Sequence, residues 1–187
     1  MIHFASARRV ASIALSIAFL ALVPSAVAAA GNERPPVLKT VPPSRIVVPA
    51  IGVNAPIFEL GVNSNGEMDS PDGPSPVGWY NFSPTPGNPG NTVMSGHRDW
   101  HTGVTGVFWR LSEIKPGDRI TVQLIDGNKI EYIAAISALI GSGDLPIAEV
   151  VGQTEVETIT LITCEGVFNS ASREYDKRRV IWASRAS

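Results

Sequence analysis

The stretch Thr158-Ile159-Thr160-Leu161-Ile162-Thr163-Cys164 decides how this chain is read. Its β-branched and apolar residues describe a strand that packs a buried face. The strand ends on the only cysteine in 187 residues. With no second Cys an internal disulfide is impossible, so this thiol is buried and inert, paired between chains, or kept for its reactivity.

The N-terminus bears on that choice. Arg8 and Arg9 precede an almost wholly apolar run, residues 10–23, and Pro24-Ser25-Ala26-Val27-Ala28-Ala29-Ala30 offers the small residues that a signal peptidase accepts. Counted through to Ala30, the run also reaches the ~20 residues that span a bilayer. Residues 1–30 are therefore expected to be a signal peptide or an N-terminal membrane anchor, with cleavage favoured. The domain behind them works at the extracytoplasmic face of the membrane or cell surface, and is secreted if the leader is cut. Residues 31–44, rich in proline (Pro35, Pro36, Pro42, Pro43), read as an extended tether. The domain proper is expected over 45–187.

Hydrophobic residues make up 44 % of the chain, enough for a core. Net charge is −2, and removing Arg8 and Arg9 with the leader takes it to −4. Such acidity excludes nucleic acid as a partner, because phosphate binding needs a basic face. β-rich runs over 45–53, 55–58, 92–95, 119–125, 128–139, 158–164 and 178–184 are separated by turn formers. Asp126-Gly127 is the strongest hairpin signal among them. Trp79 and Tyr80 are expected to be core anchors, and residues 107–111 to make one or two helical turns. The fold class is mainly β, a barrel or sandwich.

Two further residues sit where strands begin or end. His97 follows Thr92-Val93-Met94-Ser95-Gly96, and Arg178-Arg179 opens the last strand. A thiol attacks a carbonyl as thiolate, an imidazole can move the proton, and a guanidinium offers fixed donors to a developing oxyanion. An antiparallel pair closed by residues 165–177 would bring Cys164 and Arg178 to one end of the sheet. His97 joins them only if its strand runs parallel to that of Cys164. Arg178 and Arg179 must point to opposite faces, so only one can serve.

Together these segments resemble the sortases, cysteine transpeptidases that anchor proteins to bacterial cell walls. The resemblance rests on Thr160-Leu161-Ile162-Thr163-Cys164, on Gly96-His97, and on Lys177-Arg178-Arg179-Val180-Ile181-Trp182-Ala183, and it extends over residues 45–183. It implies a closed eight-stranded barrel with short helices or 3-10 turns. It also implies cleavage of an LPXTG-like sorting signal at Thr-Gly through a Cys164 thioester. His97 would protonate the leaving amine and deprotonate the incoming one. Arg178 would hold the substrate backbone and the oxyanion, with Thr163 helping. The partners implied are sorting-signal proteins, an acceptor amine on a peptidoglycan precursor, and the membrane through residues 10–30 if uncleaved. No cofactor is implied: the calcium-stimulated branch carries acidic ligands before the His strand, and residues 81–91 contain no Asp or Glu. Pro71-Asp72-Gly73-Pro74 is not the Asp-Pro-aromatic lid of pilin-polymerising members, which favours a housekeeping or anchoring role. Gly96-His97-Arg98-Asp99-Trp100, with Cys164-Glu165-Gly166-Val167-Phe168, looks most like the actinobacterial-type classes E and F.

Other readings compete. His97 and His101, with Asp99 between and Cys164 nearby, could hold a metal, but Gly96 and Gly103 argue for a loop rather than the helix such spacing needs, so no metal is expected. Trp100, Phe108 and Trp109 are equally suited to core or peptide groove. A non-enzymatic exported β-barrel that binds cell-wall peptide or a partner protein would leave Cys164 structural. An L,D-transpeptidase would need Ser-His-Gly before the cysteine, where this chain has Leu161-Ile162-Thr163.

Overall fold

A computed structural model describes residues 40–101, 103–144 and 146–187. The leader expected over 1–30, and the tether as far as residue 39, lie outside the described residues. No helix among the described residues is long and apolar enough to cross a membrane.

Eight strands follow in chain order: β1 (Pro43–Val48), β2 (Val53–Leu60), β3 (Val77–Tyr80), β4 (Gly90–Gly96), β5 (Arg119–Leu124), β6 (Lys129–Gly141), β7 (Glu157–Asn169) and β8 (Glu174–Arg185). They close into a barrel in the order β1-β2-β3-β4-β7-β8-β6-β5, which leaves no open sheet edge. Most neighbours are antiparallel, but β2 and β3, and β4 and β7, run parallel. Asp126-Gly127 sits in the turn between β5 and β6, where hairpin chemistry put it. β1 takes in Pro43 and Ser44, and Pro43 is already level with Leu124. Residues 107–111 give turns that lead into a 3-10 helix, Leu111–Glu113.

Strand alternation divides the wall into two faces. The inner face carries Ile46, Val48, Val77, Met94, Ile120, Val122, Ile159, Leu161 and Ile181, with Phe108 and Leu111 folded in from the β4–β5 connection. Each such side chain contributes about 1.5–3 kcal/mol by leaving water. Trp79 belongs to this core, while Tyr80 belongs to a second cluster with Val93, Val150, Ile162 and Val180 on the outer face. That outer cluster lies under the short helix α1 (Ile147–Val150). Asn91 secures the helix: its buried amide donates to the carbonyls of Val150 and Gly152 at 3.0 and 3.2 Å, and its oxygen accepts from Thr160 at 2.7 Å. The outer face of β4, β7 and β8 is thus apolar at one end and opens into a cleft at the other.

One expectation is corrected. Cys164 does not end its strand and Arg178 does not begin one: β7 runs on to Asn169 and β8 starts at Glu174. The ladder continues past both residues through a bulge between Glu165 and Phe168. Glycine, acid and serine composition in residues 165–177 reads as loop. Here a bulged hairpin uses those same residues, with Val167 N–H held by the Asp176 carboxylate at 2.7 Å.

Candidate active site

Two registers bring the sequence-predicted residues together. β4 and β7 are parallel with Ser95 level with Ile162, so His97, just past the end of β4, and Cys164, two residues further along β7, leave that pairing in the same direction. β7 and β8 are antiparallel with Cys164 directly opposite Arg178. Paired residues share a face, and side chains alternate. Cys164 therefore continues the outer row of Ile162 and Arg178 that of Val180, while His97 follows directly on the strand that carries Val93 and Ser95. All three line one cleft of about 720 Å³, walled by Trp100, His101, Phe168 and Tyr175. A second, smaller groove, about 320 Å³, is lined by residues around Ile51–Ala55 and Gly106–Arg110, and none of the three reaches it.

His97 is held from several directions. A Cβ at Gly96 would lie 2.6 Å from Val107 and 2.7 Å from Phe108, so the strand end can press on the core only with glycine there. A Cβ at Gly106 would lie 2.2 Å from the His97 carbonyl oxygen. That close approach brings Gly106 and Phe108 back against His97 and Arg98, with Gly106 N–H on the Arg98 carbonyl at 2.7 Å and Phe108 N–H on the His97 carbonyl at 2.9 Å. The imidazole Nε2 lies 2.8 Å from the Pro71 carbonyl, and the ring meets Trp100 edge-on at 4.9 Å.

Arg178 is positioned by backbone. Its Nη1 donates to the carbonyls of Tyr175 and Lys177 at 2.8 and 3.1 Å, and it has no carboxylate partner among the described residues. Tyr175 also closes the cleft from the other side, its phenol donating to the Asp99 carboxylate. Arg98 lies over the Trp109 ring at 4.5 Å and extends towards Tyr175. Arg179 faces away from Cys164. It is bound through Nε and Nη2 to Glu165 at 2.8 and 3.1 Å, and this holds the Glu165 carboxyl below the usual range.

Burial pushes the Cys164 thiol up. Arg178 opposes that shift, Asp99 and Glu174 add to it, and Arg98 opposes it more weakly. The site thus disfavours the thiolate through burial and two carboxylates, while the guanidinium groups of Arg178 and Arg98 favour it.

Thr163 stands apart from the role expected of it. It is 3 % exposed, on the opposite face of β7 from Cys164, and its hydroxyl donates to the Gly96 carbonyl at 2.8 Å. That bond fastens the end of β4 to β7 and leaves the side chain away from the cleft. Of the aromatic residues, Phe108 is core, Trp100 lines the cleft and Trp109 is 43 % exposed beneath Arg98. His101 lines the cleft beside Trp100. Residue types alone did not single out Tyr175 or Pro71 as parts of the site, while Asp99 lay inside the quoted Gly96-to-Trp100 motif. Tyr175 acts through a long-range phenol and Pro71 through a backbone carbonyl, which leaves no mark on composition.

Comparison with known proteins agrees with this architecture. A sortase-domain family profile matches residues 46–186. The fold is similar to a sortase D5 transpeptidase of Clostridium perfringens, at 22 % identity and TM-score 0.58, covering 78 % of this chain and 79 % of that one. It is also similar to a lid mutant of sortase A from Corynebacterium diphtheriae, at 21 % identity and TM-score 0.60, covering 83 % and 75 %. Sortase C-1 from Actinomyces oris gives 22 % identity and TM-score 0.59, covering 77 % and 71 %. No curated protein matches the chain. With its profile match spanning nearly the whole barrel, the chain belongs to the sortase family of cysteine transpeptidases.

Proposed function

We propose that this protein cleaves an LPXTG-like sorting signal between Thr and Gly and passes the acyl group to an amine of a peptidoglycan precursor, with Cys164 as nucleophile, His97 as acid and base, and Arg178 as the oxyanion and substrate-backbone donor. The observation that carries this reading is the shared cleft: Cys164 from β7, Arg178 from β8 and His97 directly after β4 all line it. As the peptide carbonyl enters, the Cys164 proton passes to His97 and the sulfur attacks. Negative charge then develops on the carbonyl oxygen, where the Nε and Nη2 groups of Arg178, which carry no protein hydrogen bond among the described residues, are the available charged donors. The imidazolium returns its proton to the departing glycine nitrogen as the C–N bond breaks, leaving a thioester. An incoming amine attacks that thioester, gives its proton to His97, and the thiolate leaves.

Thr163 serves this chemistry by fixing the position of Gly96 and so of His97. The motifs around His97 and Cys164 favour class E or F, and the departure of Pro71-Asp72-Gly73-Pro74 from the Asp-Pro-aromatic lid favours a housekeeping or anchoring role. The site of action is the extracytoplasmic face of the membrane, with the protein held through residues 10–30 or released if they are cleaved. The direct test is turnover of a fluorogenic LPXTG peptide. Cys164→Ala and His97→Ala are each expected to abolish it, and full turnover by Cys164→Ala would remove the thiol from the mechanism.

A further inference from the structure

His97 stands on a chain of hydrogen bonds that the roles above leave unused. Its Nε2 lies 2.8 Å from the Pro71 carbonyl oxygen. A carbonyl can only accept, so Nε2 carries a proton in this arrangement. In the neutral ring that leaves Nδ1 as the bare acceptor.

Pro71 belongs to the segment between β2 and β3, and Tyr80 ties that segment down. The Tyr80 phenol donates to the Asp69 carbonyl at 2.7 Å and also meets the Ser95 hydroxyl at 2.7 Å. A phenol has one proton, and Asp69 takes it, so Ser95 is the donor in the second bond. Tyr80 is 3 % exposed, and Ser95 lies in β4 two residues before His97, which follows the strand end. One buried phenol therefore joins the strand that leads into His97 to the segment whose carbonyl holds the ring. A phenylalanine at position 80 would fill nearly the same space and leave both partners without that bond.

We propose that Tyr80 and the Pro71 carbonyl form a tautomer-setting strut, which holds neutral His97 with its proton on Nε2 and makes Nδ1 the atom that trades protons with the reacting groups. The inference rests on the acid–base role given to His97 above. In the first half-reaction Nδ1 takes the Cys164 proton and delivers it to the departing nitrogen. In the second it takes one proton from the incoming amine, while Nε2–H stays on Pro71 throughout. Tyr80 is a positioning residue here, because its phenol acts on the imidazole through Asp69 and Ser95.

Long-range proton–nitrogen correlation spectra of the full chain labelled with 15N-histidine read the tautomer directly. The His97 signals are assigned by their loss in His97→Asn. Wild type is expected to show protonated Nε2 and bare Nδ1 in the neutral form. Tyr80→Phe is expected to mix the two tautomers and lower kcat about 10- to 100-fold, with KM within about twofold, the scale of a misplaced catalytic group. A wild-type spectrum with the proton on Nδ1 overturns the proposal even if Tyr80→Phe fails to fold. A folded Tyr80→Phe protein with the wild-type tautomer and kcat overturns the role of Tyr80. Activity retained by His97→Ala would instead remove the acid–base role itself, a result that the wild-type spectrum does not depend on.

Discussion

The two faces of the β7–β8 ladder differ in what the fold does with their polar groups. On one face Thr163 donates to Gly96 and Arg179 is chelated by Glu165, so both polar side chains are satisfied within the protein. On the other, one residue along each strand, Cys164 and Arg178 face a cleft, and among the described residues the guanidinium is steadied only through Nη1 on two backbone carbonyls. Adjacent residues of similar type, Arg178 and Arg179, thus have opposite fates. The difference teaches that a functional side chain is recognised less by its chemistry than by what the fold leaves unspent.

The largest expected effect tests the open face. Cys164→Ala should lower peptide turnover by more than about 10⁴-fold, as removal of a catalytic nucleophile does elsewhere. Arg178→Ala should lower kcat/KM by about 10²–10³, the loss typical of an oxyanion donor. Arg179→Ala should leave kcat/KM within about threefold and instead cost about 1.5–3 kcal/mol of stability, since Glu165 loses its charged partner. If activity falls for Arg179 and stability for Arg178, the two faces have been exchanged. The stability half of this contrast depends on pH. Arg179 lowers the folded-state pKa of Glu165, so the pair's contribution is present above the ordinary carboxylate pKa and is lost as pH falls through the lowered value. Denaturation midpoints of wild type and Arg179→Ala should therefore converge in acid.

A smaller effect concerns the thiol itself. Burial disfavours the thiolate, so alkylation of Cys164 by iodoacetamide should follow a pH curve displaced upward from that of a free cysteine. Arg178→Ala removes a cation that favours the thiolate and should move the curve further up. Asp99→Asn removes an anion that opposes it and should move the curve down, with the amide still able to accept from Tyr175. Shifts in the same direction for both variants would contradict the electrostatic reading of the cleft. The smallest effect is expected for Thr163→Val, about 0.5–1.5 kcal/mol of stability from the lost Thr163–Gly96 hydrogen bond. Any loss of turnover should then be in kcat, through the position of His97.

Much of this was legible in the residues, for identifiable reasons. Alternation in residues 158–164 and the Asp126-Gly127 turn describe strands and a hairpin, because pleat and turn geometry act locally. Antiparallel pairing of Cys164 with Arg178 followed from their spacing. The parallel pairing of β4 with β7, on which His97 depends, was visible only as a condition, since it joins strands some 65 residues apart with nothing local to set their direction. The bulge after Cys164 was missed because Gly166 and the polar residues around it read as loop, whereas a single side-chain contact from Asp176 lets the ladder continue. Thr163 was given a helping role at the oxyanion by the family resemblance alone. Strand alternation, applied there as it was to Arg178 and Arg179, would have turned its side chain to the other face.

The most direct test of the central claim is the intact mass of the protein incubated with an LPXTG peptide in the absence of an acceptor amine, followed by peptide mapping. The account predicts an adduct equal to the acyl portion ending in Thr, carried by the peptide that contains Cys164 and released by an added amine or by hydroxylamine. Turnover of the peptide with the adduct on another residue, or with none trapped on Cys164 under conditions that arrest the second step, would contradict it.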